Sequence, residues 1–137
     1  MIRQATMQDI TGISSLIRTE PGMWQDAWAD NVINRALKSS NGLAFVWDNC
    51  GILGFVCGHD VGFRGYLSEL VVATHARRKG IGRQLVMHVQ GELTKRGCHH
   101  VMADIWHGAE PFYESLGWVP VSNMVSLRKK DLRIYHQ

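Results

Sequence analysis

Residues 73–85, ATHARRKGIGRQL, set three cationic side chains, Arg77, Arg78 and Lys79, directly ahead of a Gly-x-Gly at Gly80 and Gly82. An apolar run, YLSELVVA, precedes them, and apolar residues at helical spacing follow. A helix N-terminus leaves its first N–H groups unpaired, and aligned peptide dipoles add partial positive charge there. Glycines at that point remove the Cβ atoms that would hold a ligand off the backbone. Together with Arg83 these features make an anion cradle suited to a pyrophosphate. The string lacks the Gly-x-x-x-x-Gly-Lys-Ser/Thr of a P-loop, and Leu85 stands where a Rossmann fingerprint needs its third glycine. Taken alone, the same residues also read as a solvated surface turn.

The elements that must position this loop follow from periodicity. MIRQA opens as a short strand. Thr6 with Asp9 is close to a capping box, and Ile10, Ile13, Leu16 and Ile17 share one helical face. TEPG at 19–22 breaks that helix. Trp24, Trp28, Val32, Ile33, Ala36 and Leu37 predict a second helix that stops near SSNG. Strands at 43–49 and 52–59 are separated only by Cys50 and Gly51, which predicts a tight hairpin. A further strand runs over 65–73. From Gly80, the residues Ile81, Leu85, Val86, Val89 and Leu93 recur at helical spacing, and Gly97 is placed as a C-cap glycine. A strand at 98–106 and a short helix at 109–117 follow, with Pro111 tolerated in the first helical turn. WVPV and MVSLRKKDLRIY supply two last strands. The expected fold is α/β (α+β): one domain, residues 1–137, with a mixed, mostly antiparallel sheet flanked by helices.

Composition narrows the function. A 137-residue chain that is 45% hydrophobic has material for one real core. A net charge of +3 favours a small anionic ligand, but no long basic run or arginine-rich arm points to nucleic acid. The three cysteines are widely spaced, without a metal or disulfide pattern, which suits reduced thiols in a cytoplasmic protein. No leader pattern is visible, and no apolar run approaches the ~20 residues of a membrane span. His99 and His100 would point to opposite faces of a strand, and His107 adds no ligand spacing, so no metal is expected.

LVVATHARRKGIG closely resembles the central motif of the GNAT superfamily of acetyl-CoA-dependent N-acyltransferases. Arg77, Gly80 and Gly82 fall on its signature positions, Val72 on the strand-end valine, and Thr74 where proline is common. AEPFYESLGW resembles the family's second landmark, an aromatic-tyrosine pair in a short helix ending in Gly-aromatic, through Phe112, Tyr113, Gly117 and Trp118. The two landmarks occur in the family's order and spacing, and the order of elements agrees. The sequence departs from many relatives at Trp106, where they carry an asparagine seven residues before the tyrosine. Either that polar contact is absent or the neighbouring His107 supplies it.

The resemblance implies a sheet that splays beside the strand before the loop, with the pantetheine arm of acetyl-CoA filling the gap. Backbone groups of Leu70 and Val72 would bond its amides, Val71 lying in the same segment. Backbone N–H groups of Arg78, Lys79, Gly80, Ile81, Gly82 and Arg83 would hold the pyrophosphate next to the signature Arg77. Phe112 would pack on the cofactor or in the core. Tyr113 matches the usual general acid. A free amine attacks the thioester carbonyl, and the intermediate expels a thiolate of pKa about 8.5, which tyrosine, protonated to about pH 10, can protonate. The amine, with a pKa near ~10.4 if lysine-like, must lose a proton. Glu69 and Asp104 are the candidate bases. Regular alternation puts Glu69 on the face opposite Ser68 and Leu70 unless a bulge intervenes.

In such a fold Trp24 and Trp28 would wall the acceptor pocket, with Glu20, Asp26 and Asp30 nearby to hold a cationic acceptor. Core or dimer packing is the plainer reading of the two tryptophans. The implied activity is acetyl transfer from acetyl-CoA to a primary amine of a small molecule or peptide, by direct attack in a ternary complex. A homodimer is compatible with it. The contrasting reading is a catalytically silent CoA-binding sensor or regulatory module.

Overall fold

The computed structural model describes residues 1–121 and 128–135. The chain forms two compact units, residues 1–104 and 105–137. The first holds a five-stranded sheet in the order β1 (Ile2–Gln4), β2 (Ala44–Asp48), β3 (Ile52–Asp60), β4 (Gly65–Val72) and β5 (Val101–Ala103). Neighbours are antiparallel except β4 and β5, which run parallel. The helices are α1 (Ile10–Thr19), α2 (Val32–Ser40) and α3 (Ile81–Lys95). α4 (Glu110–Ser115) lies in the second unit.

One face of the sheet receives α3 and the other receives α1 and α2. A Cβ built on Gly54 would stand 2.9 Å from Leu85, one on Gly58 2.7 Å from Val89, and one on Gly65 2.7 Å from Leu93. These glycines therefore let α3 lie directly on the backbones of β3 and β4. Val46, Phe55, Val56, Leu85, Val86 and Val89 are buried in the core. On the opposite face, the Cys57 sulfur lies 3.8 Å from the Ala36 carbonyl of α2.

Local chemistry explains the chain's turns. The Thr6 N–H donates to the Asp9 carboxylate at 2.8 Å, opening the first helical segment. Arg3 on β1 pairs with that carboxylate at 2.8 Å and holds Asp9 down at about 2. The β2–β3 hairpin turns through Cys50 at φ 55° and Gly51 at φ 140°.

Several elements differ from the expectations. The second helix starts at Val32, and Trp24 and Trp28 sit on turns before it. Asp26, Asp30 and Asn31 explain the late start, because short polar side chains favour turns and caps over helix interiors. The strand expected at 98–106 is only Val101–Ala103, so His99 and His100 precede it. Neither final strand appears among the described residues: 118–121 and 128–131 are irregular, and Leu132–Tyr135 is a short 3-10 helix. Residues 124–127 of the expected pair lie outside the described residues. Among the described residues, no helix is long and apolar enough to cross a membrane.

Candidate active site

β4 carries the site because its two edges differ. Towards β5 it pairs over three positions, ending at Leu67 opposite Ala103. Beyond them it continues to Val72 with no strand partner on that side among the described residues. The Ala73 N–H donates to the Leu53 carbonyl at 2.8 Å, which fixes the parity of the β3–β4 ladder. Backbone groups alternate between the two edges of a strand. Those of Val71 therefore turn to β3, and those of Leu70 and Val72 turn to the open edge. The Val72 carbonyl there accepts the Arg77 Nε–H at 3.2 Å. The side chain of Val71 is buried.

The ladder slips once. Cys57 faces Glu69 and Gly58 faces Leu67, which leaves Ser68 without an opposite residue. Such a bulge breaks the alternation of side chains. As a result Ser68 and Glu69 both line one groove of about 340 Å³, with Trp28, Arg35, Ser39 and His59. Burial, and secondarily the charge of Asp104, pushes the Glu69 carboxyl up to about 7. Asp104 itself is exposed and accepts the Tyr66 hydroxyl at 2.7 Å.

His59, Ser39 and Ser68 were not singled out from the sequence. The His59 Nε2 lies 2.8 Å from the Ser68 Oγ, and its Nδ1 lies 3.1 Å from the Ser39 Oγ. Burial lowers its pKa, so the ring is neutral. Its place two residues after Cys57, on the same face of a largely apolar strand, was the available signal. Cys57 is no nucleophile at neutral pH, because burial pushes its thiol up to about 11.

Trp28 reaches the groove, whereas Trp24 does not line it. The two rings meet edge to face at 5.2 Å, and the Arg18 guanidinium covers Trp24 at 3.6 Å. Glu20 is buried and already engaged, accepting Arg77 at 2.7 Å and the Thr74 hydroxyl at 2.8 Å. Asp26 and Asp30 are exposed and do not line the groove. The acidic trio expected around a cationic acceptor is therefore not assembled in the groove.

The loop after β4 crosses a short 3-10 turn, Thr74–Ala76, and then Arg78 at φ 65° and Gly80 at φ 80°. Two left-handed residues so close together turn the chain sharply into α3, whose first N–H groups receive no side-chain cap. A Cβ on Gly80 would meet only the Gln84 Nε2, at 3.8 Å, so the approach over the backbone is open. Arg78, Lys79 and Arg83 are exposed around it, whereas Ile81 is buried against the sheet and Gly82 follows in the first helical turn. The glycine, the uncapped amides and the cations fit a diphosphate, and the open edge of β4 fits an extended amide-bearing arm. Among the described residues, no group of three His, Cys, Asp or Glu side chains could hold a metal.

The second unit presents Tyr113 in α4, buried, with Phe112 at 5.0 Å and Trp118 at 5.2 Å, both edge-on. Gly117 at φ 87° ends the helix and lets the Trp118 N–H return to the Tyr113 carbonyl at 3.0 Å. Trp106 is exposed, and the His107 Nδ1 lies 3.9 Å from the Glu110 carboxylate.

The open edge of β4 and the glycine turn into α3 are the features that the resemblance to acyltransferases implied. The model of the acetyltransferase (GNAT) family matches residues 10–118, and the chain belongs to that family. An acetyltransferase of the GNAT family from Streptococcus pneumoniae superposes with a TM-score of 0.75 at 18% identity, over 96% of this chain and 97% of its own. A transcriptional regulator from Bacillus halodurans gives 0.74 at 20% identity, over 94% and 99%. The ribosomal-protein-S18-alanine N-acetyltransferase of Escherichia coli gives 0.74 at 22% identity, over 85% and 76%. These identities establish a shared fold. A search of curated protein sequences finds no match.

Proposed function

We propose that this GNAT acetyltransferase moves the acetyl group of acetyl-CoA to a primary amine of a small molecule or peptide, by direct attack in a ternary complex. The observation that carries this reading is the bulge at Ser68. It turns Glu69 into the groove beside the open edge of β4, with its carboxyl pushed up to about 7. A carboxylate that titrates near neutrality is a stronger base towards an alkylammonium than an ordinary one, and a large fraction of it is still ionised at neutral pH.

The thioester supplies an activated acetyl group. Leu70 and Val72 bind its amide arm through the backbone, and the amides and cations from Arg78 to Arg83 bind its diphosphate. Glu69 takes the amine proton, directly or through one water. Asp104, engaged by Tyr66, raises the field at Glu69 and is the weaker candidate for the base. As the C–N bond forms and the C–S bond breaks, Tyr113 gives its phenolic proton to the departing thiolate. Tyr113 takes this role from its match to the family landmark.

Thiol release from acetyl-CoA across a panel of amines tests the reading, with Tyr113→Phe alongside. Amine-dependent release is expected, with kcat lowered by about 10²-fold in the variant and CoA binding retained. CoA binding with no release from any amine would instead make the protein a silent sensor.

A further inference from the structure

The acetyl-transfer reading leaves the acceptor unnamed, and the groove holds a feature that narrows it. Arg35 lines the same groove as Glu69, and its guanidinium enters no hydrogen bond or ion pair among the described residues. His59 bridges Ser39 and Ser68, and Ser68 also donates to the Cys57 carbonyl at 3.3 Å, so among the described residues Arg35 and Glu69 are the charged groups of that wall left without a hydrogen-bond partner. Apolar side chains, among them Trp28, Val32 and Phe55, fill the rest of the lining. The groove therefore presents one carboxylate, one unmatched guanidinium and an apolar wall.

Resting on that reading, we propose that the acceptor is a primary amine carrying a carboxylate on the same short stem, the amine held towards Glu69 and the carboxylate by Arg35. A guanidinium is permanently charged, and its planar fork matches a carboxylate in two parallel hydrogen bonds. A diamine of the same length would set an ammonium against Arg35, and like charges in a partly enclosed groove repel. A simple alkylamine would leave the guanidinium unmatched. A volume of about 340 Å³ holds a molecule of amino-acid or short-peptide size. The carboxylate can belong to a free amino acid or to an acidic residue near a peptide's amino terminus, and Arg35 reads the same group in both.

Initial rates of thiol release with matched acceptors decide the matter. Leucine, glutamate and β-alanine are each compared with the corresponding primary amide, and 1,4-diaminobutane and two tetrapeptides, Ala-Asp-Ala-Ala and Ala-Asn-Ala-Ala, both amidated, complete the set. The proposal expects a carboxylate preference in kcat/KM of roughly tenfold or more within the free or the peptide pair. Arg35→Gln should bring that ratio close to one, with the loss falling on KM, and Arg35→Lys should restore part of it. Arg35 is exposed, so folding of the variants is checked by an unchanged melting temperature. Turnover without a carboxylate preference, or a preference that survives Arg35→Gln, overturns this assignment and leaves acetyl transfer standing. No turnover with any amine overturns both.

Discussion

The guanidinium of Arg77 lies 2.7 Å from the buried carboxylate of Glu20, tying the loop after β4 to the chain between α1 and α2. The same guanidinium reaches the Val72 carbonyl at 3.2 Å, on the open edge of β4. Arg77 is thus a strut between the open edge of β4 and the chain before α2. Glu20→Gln should keep the shape of this contact and lose its charge. Hydrogen bonds to charged groups contribute about 1.5–3 kcal/mol, and the half-exposed Arg77 reduces that to about 1–2 kcal/mol. A thermal melt should show a fall of several degrees, and the KM for acetyl-CoA should rise. An unchanged melt together with an unchanged KM would show that the strut carries no load.

As the proposed base, Glu69 should link activity and stability through one proton. Its carboxyl titrates at about 7 in the fold, against an ordinary value of 4.5. Below pH 7 the protonated form cannot accept the amine's proton, so kcat/KM should rise across an ionisation near 7. Glu69→Gln should abolish that limb and lower kcat by about 10²-fold or more. The stability effect runs the other way. A folded-state pKa above the unfolded value means that the fold holds the proton more tightly. The stabilisation from this group is present below about pH 4.5 and is lost as pH rises through 7. The variant should therefore gain on the wild type between pH 5 and pH 8, by on the order of 1–3 kcal/mol. Parallel melting curves at the two pH values would remove Glu69 as the shifted group.

Most of the first unit was legible in the sequence because its signals are local and strong. The apolar spacing from Ile81 to Leu93 and the turn at Cys50–Gly51 each specify one conformation. The residues of the loop after β4 are contiguous, so its charges and glycines read directly from the sequence. The groove was not legible in the same way. Alternation along β4 separates Ser68 from Glu69, and only pairing with β3 reveals the extra residue that reunites them. Glu20 looked like a free acid, because nothing local shows that Arg77 and Thr74, more than fifty positions away, enclose its carboxylate. Trp24 and Trp28 mimicked a helical face four residues apart, whereas their rings meet on a turn.

The close seat of α3 on the sheet gives a test of packing. An alanine at Gly58 would bring its Cβ to 2.7 Å from Val89 and 3.3 Å from the Leu43 carbonyl. Backbone cannot yield as a side chain can, so Gly58→Ala should cost about 1–3 kcal/mol by overpacking. Gly91→Ala is the matched contrast, since a Cβ there meets nothing within 4 Å inside the same helix. It should stabilise by about 0.5–1 kcal/mol through helix propensity. Denaturant midpoints of the two variants should move in opposite directions. A neutral Gly58→Ala would mean that α3 sits farther from the strand than 2.7 Å implies.

Backbone approach and side-chain charge at the loop can be separated at Gly80 and Lys79. Gly80 stands at φ 80° with open space where a Cβ would go, so a methyl group there occupies room that a diphosphate would use. Left-handed backbone costs an alanine about 1–2 kcal/mol, which lowers stability as well. Gly80→Asn separates the two effects, because asparagine tolerates that conformation yet still carries a Cβ. Both variants should raise the KM for acetyl-CoA by roughly tenfold, since each blocks contact with the helix-terminal amides. Lys79 is exposed, and its charge acts through solvent. Lys79→Ala should raise the KM by only about two- to threefold, and the difference should vanish at high salt as screening removes the charge. If Lys79→Ala were the more damaging change, side-chain charge rather than the bare backbone would be holding the anion.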